Sequence, residues 1–275
     1  MSTRGDIPHD STTSPIRLGV AGWNVRREHA SRFSEGGSHL ARYATQFNAV
    51  EINSCFYRPH RLATYERWAA TVPPDFRFAV KLPKVITHAN RFVDIVAPLE
   101  RFLGEVAGLG TKLGPVLVQL PPKFAFDDAL ARSFFDELRA RFDGEAVLEP
   151  RHETWFTADV DKLLVEYRVG RVAADPARVP AAAGPVGYGG IIYLRLHGSP
   201  RVYFSGYPSN YLADVAQLLD AGARRDISAW CIFDNTALGA ATVDALTVKS
   251  HLLTSQRVKK WPTRSKRRTR RGGRS

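Results

Sequence analysis

Ala146-Val147-Leu148-Glu149-Pro150-Arg151-His152 is the stretch that decides the fold. An apolar run passes without interruption into an acid, a proline and two basic residues. A strand covered on both faces reads as a continuous apolar run, and polar residues gathered only at its carboxyl end mark the mouth of a parallel α/β barrel. The same design recurs in Val50-Glu51-Ile52-Asn53, Val80-Lys81, Val118-Gln119, Ala174-Asp175, Leu194-Arg195-Leu196-His197 and Phe233-Asp234-Asn235-Thr236. Strands are predicted at residues 16–21, 49–53, 77–81, 116–120, 146–149, 171–174, 191–196 and 230–234.

Between most of these runs, apolar residues recur at three- and four-residue spacing, the signature of an amphipathic helix. Residues 39–47 supply Leu40, Tyr43, Ala44 and Phe47. Residues 97–109 supply Leu99, Phe102, Leu103, Val106 and Leu109, and residues 129–142 supply Leu130, Phe134, Phe135, Leu138 and Phe142. Residues 211–219 and 240–253 continue the alternation. Strand alternating with helix implies parallel pairing through crossovers, and the expected fold is α/β, a (β/α)₈ TIM-type barrel. One crossover departs from this: residues 175–190, DPARVPAAAGPVGYGG, are rich in proline and glycine, so the sixth crossover helix is expected to be degenerate. Residues 198–210 follow the seventh strand and are expected to hang over the mouth as a lid.

The 275 residues suit one barrel domain, placed at 16–255, with a disordered N-terminal segment at 1–15 and a disordered basic tail at 256–275. The net charge of +12 is concentrated in that tail. Ten of the 39 Lys and Arg residues follow Gln256 with no acid among them, and the remaining 29 nearly balance the 27 acids. A like-charge block of this kind attracts polyanions by counterion release, and Lys259, Lys260, Lys266, Arg267, Arg268, Arg270 and Arg271 are its candidate nucleic-acid contacts. No apolar run approaches the ~20 residues needed to span a bilayer, and the first fifteen residues lack the apolar segment of a secretory signal. Cys55 and Cys231 are expected in non-adjacent strands as reduced thiols, which places the protein in the cytoplasm.

Several blocks resemble the YecE-like family. They are Gly19-Val20-Ala21-Gly22-Trp23, Phe47-Asn48-Ala49-Val50-Glu51-Ile52-Asn53-Ser54-Cys55-Phe56-Tyr57-Arg58, Phe78-Ala79-Val80-Lys81 with Thr87-His88, Lys112-Leu113-Gly114-Pro115-Val116-Leu117-Val118-Gln119-Leu120-Pro121-Pro122, Glu149-Pro150-Arg151-His152, Arg195-Leu196-His197-Gly198 and Phe233-Asp234-Asn235-Thr236. The resemblance runs over residues 16–253 and implies a TIM-type barrel. The family is named for a domain of unknown function, so no reaction comes with it. Cys55 stands where a threonine is expected.

Side chains at i and i+2 on a strand share a face. Glu51 with Asn53, Glu149 with Arg151 and Arg195 with His197 are therefore expected to project in pairs into one mouth, together with Lys81, Gln119, Asp175 and Asp234. Charges in so dry a place must pair or bind something, so part of the set is expected to satisfy itself. For the rest, Glu51, Glu149, His197 and Asp234 are the candidate catalytic groups. Asn53, Tyr57, Lys81, Gln119, Arg151, His152, Asp175, Arg195 and Asn235 are the candidate substrate contacts, with Arg151 and Arg195 as clamps for a carboxylate or phosphate. Trp23, Phe56, Tyr57, Trp155, Tyr203, Phe204, Tyr207 and Tyr211 are expected to give the mouth aromatic surfaces, with Trp68 and Trp230 in the core. No metal site is expected: HxH, HExxH and CxxC elements are absent from the sequence, and the cations would oppose one. Any cofactor is left open, as is the oligomeric state. The expected function is an enzyme performing acid–base chemistry on a small anionic or polyhydroxylated substrate. The alternative is a nucleic-acid-binding or nucleic-acid-processing protein anchored by its tail.

Overall fold

The computed structural model describes residues 15–259, with side chains as far as residue 255. In chain order the elements are β1 (Ile16–Val20), α1 (His39–Tyr43), β2 (Ala49–Ile52), α2 (Ser54–Tyr57), α3 (Leu62–Thr71), β3 (Arg77–Lys81), α4 (Val96–Val106), β4 (Leu113–Gln119), α5 (Asp128–Arg141) and β5 (Ala146–Glu149). They continue with α6 (Ala158–Glu166), β6 (Val169–Arg171), β7 (Ala173–Asp175), β8 (Val186–Gly187), β9 (Ile191–Leu196), α7 (Ser209–Ala223), β10 (Ser228–Phe233) and α8 (Ala240–Lys259). Helix starts follow local chemistry. Ser38, Asp127 and Thr157 accept hydrogen bonds from the free backbone N–H groups at the starts of α1, α5 and α6. No glycine or proline interrupts residues 240–259, and the backbone of α8 stays helical past the expected domain boundary at 255. Lys259 ends that helix; Lys260, Lys266, Arg267, Arg268, Arg270, Arg271 and residues 1–14 lie outside the described residues.

The fold is α/β with predominantly parallel sheets. Among the described residues the ladders form two sheets, β1-β10-β9-β7 and β2-β3-β4-β5-β6-β8, and no ladder closes on itself. Every pairing is parallel except β6 with β8. The single expected strand at 171–174 is longer and split in two. Its first half, β6, pairs with β5, and its second half, β7, pairs with β9. The degenerate crossover explains the split. After a short 3₁₀ turn at Pro180–Ala182 the chain doubles back as β8 and occupies the free edge of β6, where β9 was expected. Gly187 makes that return feasible: its φ is +82°, and a Cβ there would lie 2.8 Å from the Val169 carbonyl oxygen.

Between β1 and β2 the connection is a lone Ala21–Glu51 bridge supplemented by two side chains. The buried Tyr43 hydroxyl accepts from Val20 N at 2.9 Å and donates to Ala49 O at 2.8 Å. Asn48 accepts from Leu18 N at 3.0 Å and donates to Ile16 O at 2.8 Å. These side chains perform work that a ladder would otherwise do.

Alternation along the strands separates two cores. The larger lies between strands and helices and includes Val50, Ile52, Val80, Val118, Leu148, Phe102, Phe134 and Leu219. The smaller lies on the opposite strand face: Ala49, Ala79, Leu117, Val147, Val172, Ile191, Tyr193, Trp230 and Ile232. Trp230 is its largest member, and Gly114 leaves the space it fills, since a Cβ there would stand 2.6 Å from the indole. Stepping two residues onward from this inner core reaches Glu51, Lys81, Gln119, Glu149, Arg195 and Asp234. The polar site is therefore the carboxyl-end continuation of the smaller core.

Tyr43→Phe removes one hydroxyl and leaves a buried N–H and a buried carbonyl without partners. Each such loss costs roughly 1–3 kcal/mol. We expect the variant to fold with its chemical-denaturation midpoint lowered by an amount in that range and its m-value unchanged.

Candidate active site

Arg195 sits at the centre. It is 1% exposed, and three carboxylates, from β2, β5 and the residue just past β10, surround its guanidinium. Nη2 reaches Glu51 Oε1 at 2.8 Å and Asp234 Oδ2 at 3.0 Å, Nη1 reaches Glu149 Oε2 at 3.1 Å, and Nε is shared by both Glu51 oxygens. The ladder registers Glu51–Ala79, Gln119–Glu149 and Ile232–Arg195 set the relative heights of these residues. Burial opposes a charge at this point, but Asp234, Glu51 and Glu149 hold the guanidinium ionised.

His197, two residues further along, lies between two carboxylates. Its Nδ1 is 3.1 Å from Asp234 Oδ2 and its Nε2 is 3.1 Å from Glu149 Oε1. Burial favours the neutral ring, yet Glu149 and Asp234 outweigh it and raise the pKa above the ordinary histidine value. Glu149 is 2% exposed and accepts from Arg195, His197, Gln119 (2.9 Å) and Arg151 (3.2 Å). Burial alone would raise its pKa; Arg195, His197 and Arg151 together hold it well below the usual carboxylate range. Asp234 shows the same balance, burial against Arg195, His197 and Lys81, and its pKa is also lowered. Tyr193 completes the floor by donating to Glu51 Oε2 at 2.8 Å.

Lys81 is the exception. It is 7% exposed, and among the described residues its Nζ has no hydrogen-bond or ion-pair partner. The ammonium stands 4.1 Å from the centre of the Phe56 ring. Burial and the nearby Arg195 push its pKa down to about 8, against the pull of Glu51, Glu149 and Asp234. Immediately after Lys81 comes a π-helical turn, Val85–Ala89, followed by Arg91, Phe92 and Asp94 at φ +47°, +72° and +48°. Left-handed backbone in such residues costs energy and concentrates near functional sites. His88, on that turn, has its pKa lowered to about 4 by burial and then by Lys81, Arg151 and Lys84.

The remaining expected residues divide clearly. Gln119 and Arg151 join the cluster through Glu149. The Arg195 clamp is corrected: its nitrogens are fully engaged inside, which leaves Arg151 as the guanidinium beside open space. His152 stays outside, accepting from Thr154 N to cap the short turn Glu153–Trp155. Asn235 uses its amide to bind Ser205 O at 2.9 Å and Asp244 Oδ2 at 2.7 Å, tying the loop after β9. Asp175 takes no part in the ion pairs; its backbone carbonyl accepts from the Tyr207 hydroxyl at 3.0 Å. Asn53 leads into α2, and Tyr57 is 74% exposed at the end of that helix. Trp155 is buried, donating to Phe124 O at 2.8 Å, so it offers no surface at the mouth. Cys55 lies in α2 and not in a strand; both cysteines are buried and free, and burial raises the Cys55 thiol to about 12. The loop expected as a lid is pinned: Tyr203 N donates to His197 O and Gly198 N to the Tyr207 hydroxyl.

Sequence reasoning missed Tyr193 and Arg178. Tyr193 stands two residues before Arg195, so parity already placed it on the same face. A cavity of about 320 Å³ borders the cluster, lined by Glu149, Arg151, His197, Arg178 and Tyr203 among others. A larger one, about 460 Å³, opens near Ile16, Asn48 and Lys249, at the opposite ends of the strands. Among the described residues, no group of three or more His, Cys, Asp and Glu side chains is arranged to hold a metal, and no helix is long and apolar enough to cross a membrane.

Parallel α/β architecture with an ionised cluster at the carboxyl ends of its strands defines the class. Within it, the chain belongs to the family described as "Protein of unknown function DUF72", whose model matches residues 17–269. It is 28% identical over 173 residues to the UPF0759 protein YecE of Escherichia coli K12, a match covering 61% of each protein. The equivalent match to YecE of E. coli O157:H7 is 29% over 142 residues, or 51% of this chain and 50% of that one. The chain thus spans between half and two thirds of the curated relatives it matches. Two crystal structures of DUF72 proteins share the fold. One from Enterococcus faecalis superposes with a TM-score of 0.74 at 22% identity, covering 87% of this chain and 96% of that one. One from Thermotoga maritima gives 0.71 at 23%, covering 86% and 99%.

Arg195→Met leaves Glu51, Glu149 and Asp234 buried without their shared cation, and breaking such pairs costs roughly 3–5 kcal/mol. We expect this variant to lose at least that much stability, so it reports on folding before it reports on function. The cluster also sets a pH window. The contribution of Glu149 is present above the ordinary carboxylate pKa and lost as pH falls through its depressed value. That of His197 is complete below an ordinary pKa of about 6.5 and lost as pH rises through its raised one. Urea midpoints of the parent should therefore fall on both flanks. His197→Asn should flatten the alkaline flank while Arg195 and Arg151 on Glu149 maintain the acid one.

Proposed function

We propose that the protein is an enzyme that performs acid–base chemistry on a small anionic substrate at the carboxyl ends of its strands. In this reading the two sheets are the halves of a TIM-type barrel comprising residues 16–255, joined at β1–β2 by Tyr43 and Asn48 and at β6–β7 by the split strand. One observation carries the function: the ionised cluster is not sealed. Its Glu149–His197 side forms a wall of the 320 Å³ cavity. That volume lies at the lower end of the range of small-molecule sites, about 300–1,000 Å³.

Roles follow from what each group still has free. Arg151 spends Nε and one terminal nitrogen on Glu149, leaving donors for a carboxylate or phosphate. Arg178, exposed at the rim of the same cavity, adds a second positive charge. His197 has both ring nitrogens engaged, so it serves as the proton donor on that side by surrendering its contact with Glu149. Glu51 and Glu149 are saturated, so they orient the other groups and stabilise charge. Tyr203, at φ +70° with its ring edge-on to His197 at 5.8 Å, offers an aromatic side to a sugar or other polyhydroxylated skeleton. The two free cysteines fit a reducing, cytoplasmic setting; any nucleic-acid affinity of the basic segment would be a separate property.

Phosphate, sugar phosphates and small dicarboxylates form the screen, read by thermal shift at two salt concentrations. We expect at least one to stabilise the protein. Arg151→Ala combined with Arg178→Ala should weaken it about ten-fold or more, since each charge-assisted hydrogen bond contributes roughly 1.5–3 kcal/mol. Equal stabilisation of parent and double variant would refute the assignment.

A further inference from the structure

We propose that Lys81 is a nucleophile of this site and forms an imine with a small aldehyde or ketone that carries an anionic group. The inference rests on the reading of the mouth as an anion site and specifies what else the substrate contains; Lys81 does not itself line the 320 Å³ cavity, so the carbonyl end of the substrate must reach beyond it.

The argument starts from what Lys81 lacks. Every other charged side chain of the cluster is paired: Glu51, Glu149 and Asp234 with Arg195, Arg151 with Glu149, and His197 with two carboxylates. Lys81 ends β3, is almost wholly covered, and donates to none of the three acids whose field it feels. A lysine kept for structure would close onto one of them. A buried amine beside another cation and without a carboxylate contact is set up to shed its proton, which is the requirement for attack on a carbonyl. Burial and Arg195 move its pKa down to about 8, in accord with that geometry.

The surroundings also suit the product. The neutral amine adds to the carbonyl carbon, giving a carbinolamine. That intermediate loses its oxygen as water, with one proton supplied by an acid, and leaves a cationic, protonated imine. The positive charge returns to the position the ammonium held, over the Phe56 ring at 4.1 Å and in the field of Glu51, Glu149 and Asp234. Groups that are indifferent to the neutral amine favour the iminium. Asp234 is the least buried of the three acids and shares its proton-holding partner His197 with Glu149, so this pair is placed to supply and recover the proton.

The test is reductive trapping on the full chain. The protein is incubated with dihydroxyacetone phosphate and cyanoborohydride, which reduces an iminium to a stable secondary amine, and adducts are mapped by peptide mass spectrometry. We expect one dominant adduct, at Lys81, formed at least ten-fold faster than at the exposed Lys84. Its rate should rise with pH through a midpoint near 8, and excess inorganic phosphate should suppress it. Lys81→Arg should abolish the adduct while keeping the thermal shift produced by phosphate. Labelling of Lys81 no faster than of Lys84 overturns the proposal. If phosphate still stabilises the protein in that case, the anion site stands and only the imine falls. If phosphate has no effect and Lys81 is unlabelled, both readings fall. Trapping on the parent protein decides the matter even where the arginine variant fails to fold.

Discussion

The Arg195 guanidinium is the constraint to which the rest of the molecule is fitted. It gathers Glu51 from β2, Glu149 from β5 and Asp234 from just beyond β10, so three strands from two separate ladders must end at matching heights around one cation. Such an arrangement is costly when incomplete: one missing partner leaves an ion uncompensated in a dry place. Here it is complete, with Gln119, Tyr193 and His197 occupying the remaining lone pairs. The network therefore does for the two sheets what continuous hydrogen bonding between them does not. The seam between β1 and β2, carried by Tyr43 and Asn48 instead of a ladder, lies next to the strand that bears Glu51.

Parity explains both what the sequence reveals and where it stops. Residues two apart share a face, so Glu149–Arg151 and Arg195–His197 were legible from local spacing alone, whereas the expected partner of Glu51, Asn53, lies past the end of β2 and leads into α2. The strands themselves were legible for the same reason: a doubly covered strand must be apolar until it ends. Which polar groups are saturated was not legible. Arg195 reads as a ligand clamp along its own strand, and only the register of β9 against β10 and the convergence of β2 and β5 show that its donors are spent. Trp155 and Asn235 misread in the same way, because both partners, the Phe124 carbonyl and the Asp244 carboxylate, lie on other elements. The split of β6 from β7 also has a distant cause. Residues 186–187 return to the β6 edge, and nothing within 169–175 records it.

A saturated charge network differs from a reactive one in what can move. Fixed, fully paired ions supply a preorganised field and need no rearrangement when charge develops beside them, which is how enzymes stabilise transition states most effectively. The margin is less committed: Lys81 has no hydrogen-bond or ion-pair partner among the described residues, and Tyr203, at φ +70°, stands edge-on to His197. Under the proposed function, that division leaves electrostatics to the centre and chemistry to the edge. It also orders the interpretation of variants. Loss at Glu51, Glu149 or Arg195 acts through the fold, because each removal strands a buried charge. Loss at Lys81 removes a group with no hydrogen-bond or ion-pair partner among the described residues, whereas loss at Arg151 also takes one donor from the buried Glu149.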